Sequence, residues 1–227
     1  MSQAASSEGT VRARLWDGPT RLVHWSLVAL VGFAWWSAEA GHLEWHRWSG
    51  YGVLGLIVFR LIWGFAGSAS ARFAGFVRGP GATLAYVRTL GRRTRIDAPG
   101  HNPLGALSVL AILAALIVQV ATGLFAVDID GIESGPLSDR VSFDTGRMLA
   151  EWHQLSFTVL KILVALHLAA VFFYLIYKRA NLIGPMITGH ARLTRDPGLR
   201  FASYWRLLAA ALAALAVAWW ASKGFRL

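Results

Sequence analysis

Five long apolar stretches, residues 22–38, 51–67, 104–127, 155–177 and 207–222, limit what this chain can fold into. At about 1.5 Å per residue they are long enough, or nearly so, to cross a hydrocarbon core of roughly 30 Å. Arg60 interrupts the second stretch and Lys161 the fourth. The composition agrees: 56% of the 227 residues are hydrophobic, eleven are Trp and only 15% are charged, outside the ordinary soluble range. The expectation is an all-α integral membrane protein, a four-helix transmembrane bundle plus a fifth C-terminal transmembrane helix. Its organisation would be a cytoplasmic N-terminal segment over residues 1–21, the bundle over 22–177, a basic cytoplasmic loop over 178–205 and the last helix over 206–227.

Cytoplasmic loops collect Lys and Arg, so the basic residues set the orientation. With the N-terminus cytoplasmic, most of the 22 fall inside: Arg12, Arg14 and Arg21, then the run from Arg60 to Arg95, then Lys178 to Arg206. The outer face holds Arg47, Arg140, Arg147, Lys223 and Arg226 against a larger set of acids. The net charge of +10 is therefore a topology signal and not a nucleic-acid footprint, since no folded basic domain remains to present it. A cleaved signal peptide ending near Ala38-Glu39-Ala40 is the competing reading of the N-terminus; an apolar region with His24 and three Trp speaks against it. The absence of Cys excludes disulfides, cysteine-ligated iron–sulfur clusters and covalently attached haem.

Between the spans, residues 1–20 form a polar lead-in and residues 68–103 the longest inner connection. There GPGATLAYVRTL predicts a short interfacial helix, and Asn102-Pro103 an N-cap with first-turn proline. The acidic outer loop, 128–152, with Gly131, Gly135 and Pro136, predicts irregular structure.

An ionisable side chain within a span is costly unless it is paired or faces the interior, so the histidines carry the functional argument. His153 and His167 are fourteen residues apart, within roughly 40° of the same helix face and separated by about 21 Å. One metal ion cannot bridge that distance, but two stacked sites can use it, and imidazole is a haem iron ligand. Topology supplies the partners: His46 with His153 at the outer level, His24 with His167 at the inner level, with tilt absorbing some mismatch in depth. Two imidazoles per iron leave no open position, which predicts relay centres. Arg60 lies fourteen residues after His46 at the inner depth, and Arg21 and Arg47 adjoin the inner and outer ligands; all three suit haem propionates. Gly50, Gly52 and Gly55 thin one stretch of the second span, for a macrocycle or for helix packing.

The remaining polar residues have plainer readings. His42 is the rival to His46, His101 an interfacial or capping residue with contact to haem or quinone as the alternative, and His190 solvent exposed. Lys161 reads as a snorkelling or hydrogen-bonded interior lysine, Gln119 is ambiguous, and the paired Trp residues are interfacial belts.

The ordered set RLWDGPTRLVHW, WHRWSGYGVLGLIVFRLIWGF, GHNPLGALSVL, the EWH…LH pair and NLIGPMITG resembles the bacterial cytochrome b561 family, which includes the b-type cytochrome subunits of nickel–iron hydrogenases. The resemblance covers roughly residues 12–190. It implies a bundle in the bacterial inner membrane holding two non-covalent b-type haems through His24, His46, His153 and His167. Electrons would pass between a periplasmic partner, such as a cytochrome c or a hydrogenase, and quinone or another acceptor, with quinone a further candidate ligand. Stand-alone catalysis, as in a superoxide:quinone oxidoreductase, is the alternative, and a haem-free transporter with His-lined metal sites a third reading. Membrane lipid is the expected surrounding, and nucleic acid is not a partner.

Overall fold

The computed structural model describes residues 10–92, 100–129 and 133–226. The start of the polar lead-in (residues 1–9), Arg93 and Arg95 of the inner basic set, and Asp130 and Gly131 of the acidic loop lie outside these residues. In chain order the elements are β1 (Val11–Arg14), α1 (Gly18–Glu39), α2 (Leu43–Ala66), α3 (Phe73–Phe76), α4 (Pro80–Val87) and α5 (Pro103–Phe125). After a 3₁₀ turn at Ser138–Arg140 come α6 (Phe143–Ile176), α7 (Ile183–Thr188), β2 (His190–Leu193) and α8 (Tyr204–Ser222).

Sequence chemistry sets the helix starts. Asp17 caps α1 by accepting the Thr20 N–H at 2.8 Å, with Pro19 in the first turn. Asn102 caps α5 through the Gly105 N–H at 2.8 Å, ahead of Pro103, as the sequence predicts, and α4 occupies the expected interfacial segment.

By length and composition α2, α5, α6 and α8 are able to cross a membrane. α1 has 22 residues but is diluted by His24, Ser26, Ser37 and three Trp, and does not reach the same hydropathy. Large apolar side chains such as Leu22, Phe65, Leu166 and Ile176 stand exposed along these helices, as a lipid-facing surface requires.

The loop over 128–152 corrects an expectation: from Phe143 onward it is helical, because Ser142 caps α6 and the helix is continuous from there. α6 has 34 residues, about 51 Å, so it exceeds the hydrocarbon core by several turns. The sequence also gave no hint of the antiparallel ribbon β1–β2, which joins the N-terminal lead-in to the loop after α6.

Packing divides the molecule into two hairpins, α1 with α2 and α5 with α6, with α8 along the far side of α2. Sustained contact across the seam between the hairpins runs between α2 and α5. One apolar cluster (Val23, Phe59, Trp63, Ala71, Ala210, Ala214) ties α1, α2 and α8 together near the basic end. A second (Val53, Ile57, Leu113, Leu116, Leu160) fills the middle of the seam. The end where α1 begins and α2 and α6 finish is called the basic end here, and the opposite one the acidic end.

Candidate functional site

At the acidic end, the first turn of α2 carries His46 and the third turn of α6 carries His153. Their rings lie 6.0 Å apart, centroid to centroid, at 86°. Each Nδ1 faces a backbone carbonyl of the neighbouring helix: Ala34 on α1 at 2.9 Å for His46, Gln119 on α5 at 2.8 Å for His153. A ring nitrogen against a carbonyl must carry the proton, which leaves the Nε2 lone pair of each neutral ring available. The Gln119 amide donates to His153 Nε2 at 3.0 Å, while its oxygen accepts from Ser156. Gly123 makes room for this ring: a Cβ there would come within 2.7 Å of His153 Cε1. His42 is exposed at the N-terminus of α2 and packs on Trp45 and Trp36, so His46 is the histidine beside His153.

The basic end is built differently. His101, just ahead of α5, sits between the rings of Trp16 and Phe76 at 4.8 and 4.6 Å. Its imidazole is pushed down to about 4, first by burial and then by the cationic forms of Arg60, His167 and His24 around it. Those three and His101 therefore form one cluster drawn from α1, α2, α6 and the approach to α5. Ser108 Oγ lies 3.3 Å from His167 Nδ1. Thr20 Oγ1, Arg21 Nε, His24 Nδ1, Arg60 Nη1 and His101 Nδ1 are all buried without a hydrogen-bond partner. Each such atom costs on the order of 1–3 kcal/mol, so five at one end mark a polar surface that lacks its complement. The nearby carboxylate of Asp17 is already engaged by the Thr20 N–H at 2.8 Å and the Trp63 indole N–H at 2.9 Å. Arg60, 8% exposed, lies over the Phe73 ring at 4.7 Å.

The seam cluster separates the two ends. Leu160 is seven residues from His153 and seven from His167, and Val53 is seven from His46 and seven from Arg60, about 10 Å each way. The fourteen-residue spacing thus brackets an apolar layer.

The other sequence candidates have these positions. Arg47 forms an ion pair with Glu133, and Arg21 donates to the Ile187 carbonyl. Gly52 faces Leu30 of α1 and Gly55 faces Ala218 of α8, so helix packing accounts for both; Gly50 faces open space. Lys161 is exposed, its ammonium 5.1 Å from the Phe157 ring and 5.7 Å from Trp35. His101, read from the sequence as interfacial or capping, is a cluster member, and the cap is Asn102, as its sequence position predicts. Gln119 resolves as the side chain that holds His153, and a lone amide in an otherwise apolar run was the available signal.

These donors fit a flat metal macrocycle better than a bare ion. The acidic end supplies two imidazoles, and among the described residues no three His, Cys, Asp or Glu side chains are grouped to hold a bare ion, so the group must bring the rest of its ligands. Two metal–imidazole bonds of about 2 Å plus the ring radii separate centroids by about 6 Å, in keeping with the His46–His153 spacing. The unpartnered cationic and polar atoms at the basic end fit a group that carries carboxylates. A family model described as prokaryotic cytochrome b561 matches residues 15–189, well over half of the chain. No curated protein and no solved structure matches it.

Proposed function

This chain belongs to the prokaryotic cytochrome b561 family, membrane b-type cytochromes of electron transfer, and from that premise we propose a two-haem relay between the two membrane faces. In this reading His46 and His153 hold one haem near the acidic, periplasmic end, and His24 and His167 hold the other near the basic, cytoplasmic end. The N-terminus and the loop over 178–205 are cytoplasmic, and α1 and α8 also cross the membrane.

The observation that carries the reading is the pair at the acidic end: perpendicular rings 6.0 Å apart, each turned by a carbonyl so that Nε2 and not Nδ1 keeps the lone pair for a ligand bond. Bound haem would supply a one-electron couple, and the chain supplies everything that positions it. The carbonyls of Ala34 and Gln119 fix the tautomer and strengthen the ligand. The Gln119 amide, which covers His153 Nε2 here, moves aside on ligation. Arg60 and Arg21, each with a buried guanidinium nitrogen that lacks a partner, would neutralise propionates at the basic end. The Val53–Ile57–Leu113–Leu116–Leu160 layer excludes water and protons between the levels.

Electrons enter from a periplasmic partner, a cytochrome c or a hydrogenase, and leave at the basic end. A groove of about 630 Å³ lined by Leu61, Phe65, Phe73, Leu110 and Leu113 supports a lipid-soluble acceptor such as quinone there, since Phe73 also covers Arg60. Stand-alone superoxide oxidation is disfavoured because, of Arg47, Arg140 and Arg147, which would guide an anion, Arg47 is paired with Glu133 and the outer face carries more acids than bases. The test is haem content and the reduced absorption spectrum of purified protein. About two non-covalent haems per chain with a split b-type band are expected; one haem or none overturns the reading.

A further inference from the structure

The ribbon β1–β2 has a register with a chemical consequence. Arg12 stands opposite Arg192 and Arg14 opposite His190. Opposed residues in an antiparallel pair share a face, and so do residues two apart. All four basic side chains therefore occupy one face of a ribbon only four residues long per strand. The other face is sealed into the protein by Ala13 and Leu193, 1% and 6% exposed. Gly189, in a left-handed turn with φ of 82°, locks the ribbon to α1 by accepting the Leu15 and Trp16 N–H groups at 2.8 and 3.2 Å.

Like charges directly opposite one another destabilise a sheet. Among the described residues, none of Arg12, Arg14 and Arg192 pairs with a carboxylate, and Arg14 instead lies over the Phe201 ring at 4.1 Å. The fold thus holds four basic groups together on a rigid plate without supplying the anion that would offset them. The plate sits where an anionic surface would meet it: three residues separate β1 from α1, and exposed Tyr204 and Trp205 at the start of α8 mark the interface at this end.

We propose that the exposed face formed by Arg12, Arg14, His190 and Arg192 binds the phosphodiester headgroups of anionic phospholipids at the basic end of the bundle. The phosphate monoanion supplies acceptor oxygens for guanidinium N–H groups, and the lipid tail can continue along the apolar flank of α1. This is a discrete site set by strand register, not a general excess of positive charge, and it is independent of haem ligation.

The experiment uses the full chain in neutral detergent, titrated with phosphatidylglycerol or with phosphatidylcholine of the same acyl chains, bound lipid being counted by native mass spectrometry. Phosphatidylglycerol should bind in preference and lose affinity as salt rises. Arg12→Gln and Arg192→Gln should each weaken it about 5-fold and the double variant about 30-fold, while Arg226→Gln at the opposite end changes nothing. Without lipid, the double variant should melt higher than the parent, because the cross-strand repulsion is gone; a merely structural role for these arginines predicts the reverse. Unchanged lipid affinity in the double variant, or an equal loss in Arg226→Gln, overturns the proposal. So does displacement of the lipid by inorganic phosphate at matching affinity, which would make the ligand a free anion, or by polyglutamate, which would make it an acidic protein. Haem content is measured in each variant, so a failure of the two-haem reading is seen separately.

Discussion

The two histidine levels solve opposite problems. At the acidic end both Nδ1 atoms are tied to carbonyls and His153 Nε2 is covered by the Gln119 amide, so the ligands are oriented in advance. At the basic end the hydrogen bonds are mostly missing: His24, His101, Arg21 and Arg60 each bury an atom with no partner. One level is built from satisfied ligands and the other from charge awaiting a counter-ion. For bound haem this difference predicts unequal potentials. Carbonyl-bonded, more basic imidazoles favour the ferric state at the acidic end, whereas the nearby cationic side chains favour the ferrous state at the basic end. Electron flow from the acidic to the basic end is then downhill.

Removing a ligand should break the comparison most severely. His153→Ala and His46→Ala should each abolish the acidic-end haem and leave the other spectrally intact, and His24→Ala and His167→Ala should do the converse. Haem counting with electron paramagnetic resonance checks this, and loss of both haems from any single variant would show that the levels are not independent.

Gly123→Ala should come next. Its new Cβ would sit 2.7 Å from a ring atom of His153, which Gln119 holds in place, so the ring must turn. A low-spin signal that weakens at the acidic end alone is expected; an unchanged signal would mean that the ring has slack.

Arg60→Gln should lower the basic-end potential. One charge at about 7 Å in an effective dielectric of about 20 is worth about 2 kcal/mol, on the order of 100 mV for a one-electron couple. Redox titration should show the two potentials drawing together, and an unmoved basic-end potential would refute the charge argument.

Gln119→Leu removes the amide but keeps the backbone carbonyl that holds Nδ1, so a smaller shift, of order 1 kcal/mol or about 40 mV, is expected at the acidic end only.

The smallest effect is with pH. His101 is held at about 4 in the fold against 6.5 when unfolded, so on acidification the unfolded state takes up a proton first and stability falls between those values. His101→Gln should flatten the pH dependence of thermal unfolding across that window without altering the acidic-end spectrum.

The existence of five long helices and the placing of His46 and His153 at the same end were legible because hydropathy and the 3.6-residue period are local properties. The order of caps and turns was legible for the same reason, in Asp17-Gly18-Pro19 and Asn102-Pro103. Long-range choices were not. Nothing local shows that Glu133 reaches Arg47, or that His101, an interfacial or capping residue by its sequence position, is enclosed by Trp16 and Phe76. The extent of α6 was hidden because the polar sequence before His153 resembles a loop, although it continues the helix beyond the hydrocarbon core.

The sequence by itself determined that the chain must cross a membrane, which end is basic, and that two histidine levels lie about 21 Å apart, because solvent and helical rise leave no alternative. Only the tertiary structure decided how each imidazole is turned, which arginines stay unpaired, and that four basic side chains share one face of the β1–β2 ribbon. Those outcomes depend on hydrogen bonds and strand register between segments up to about 180 residues apart, and no local pattern encodes them.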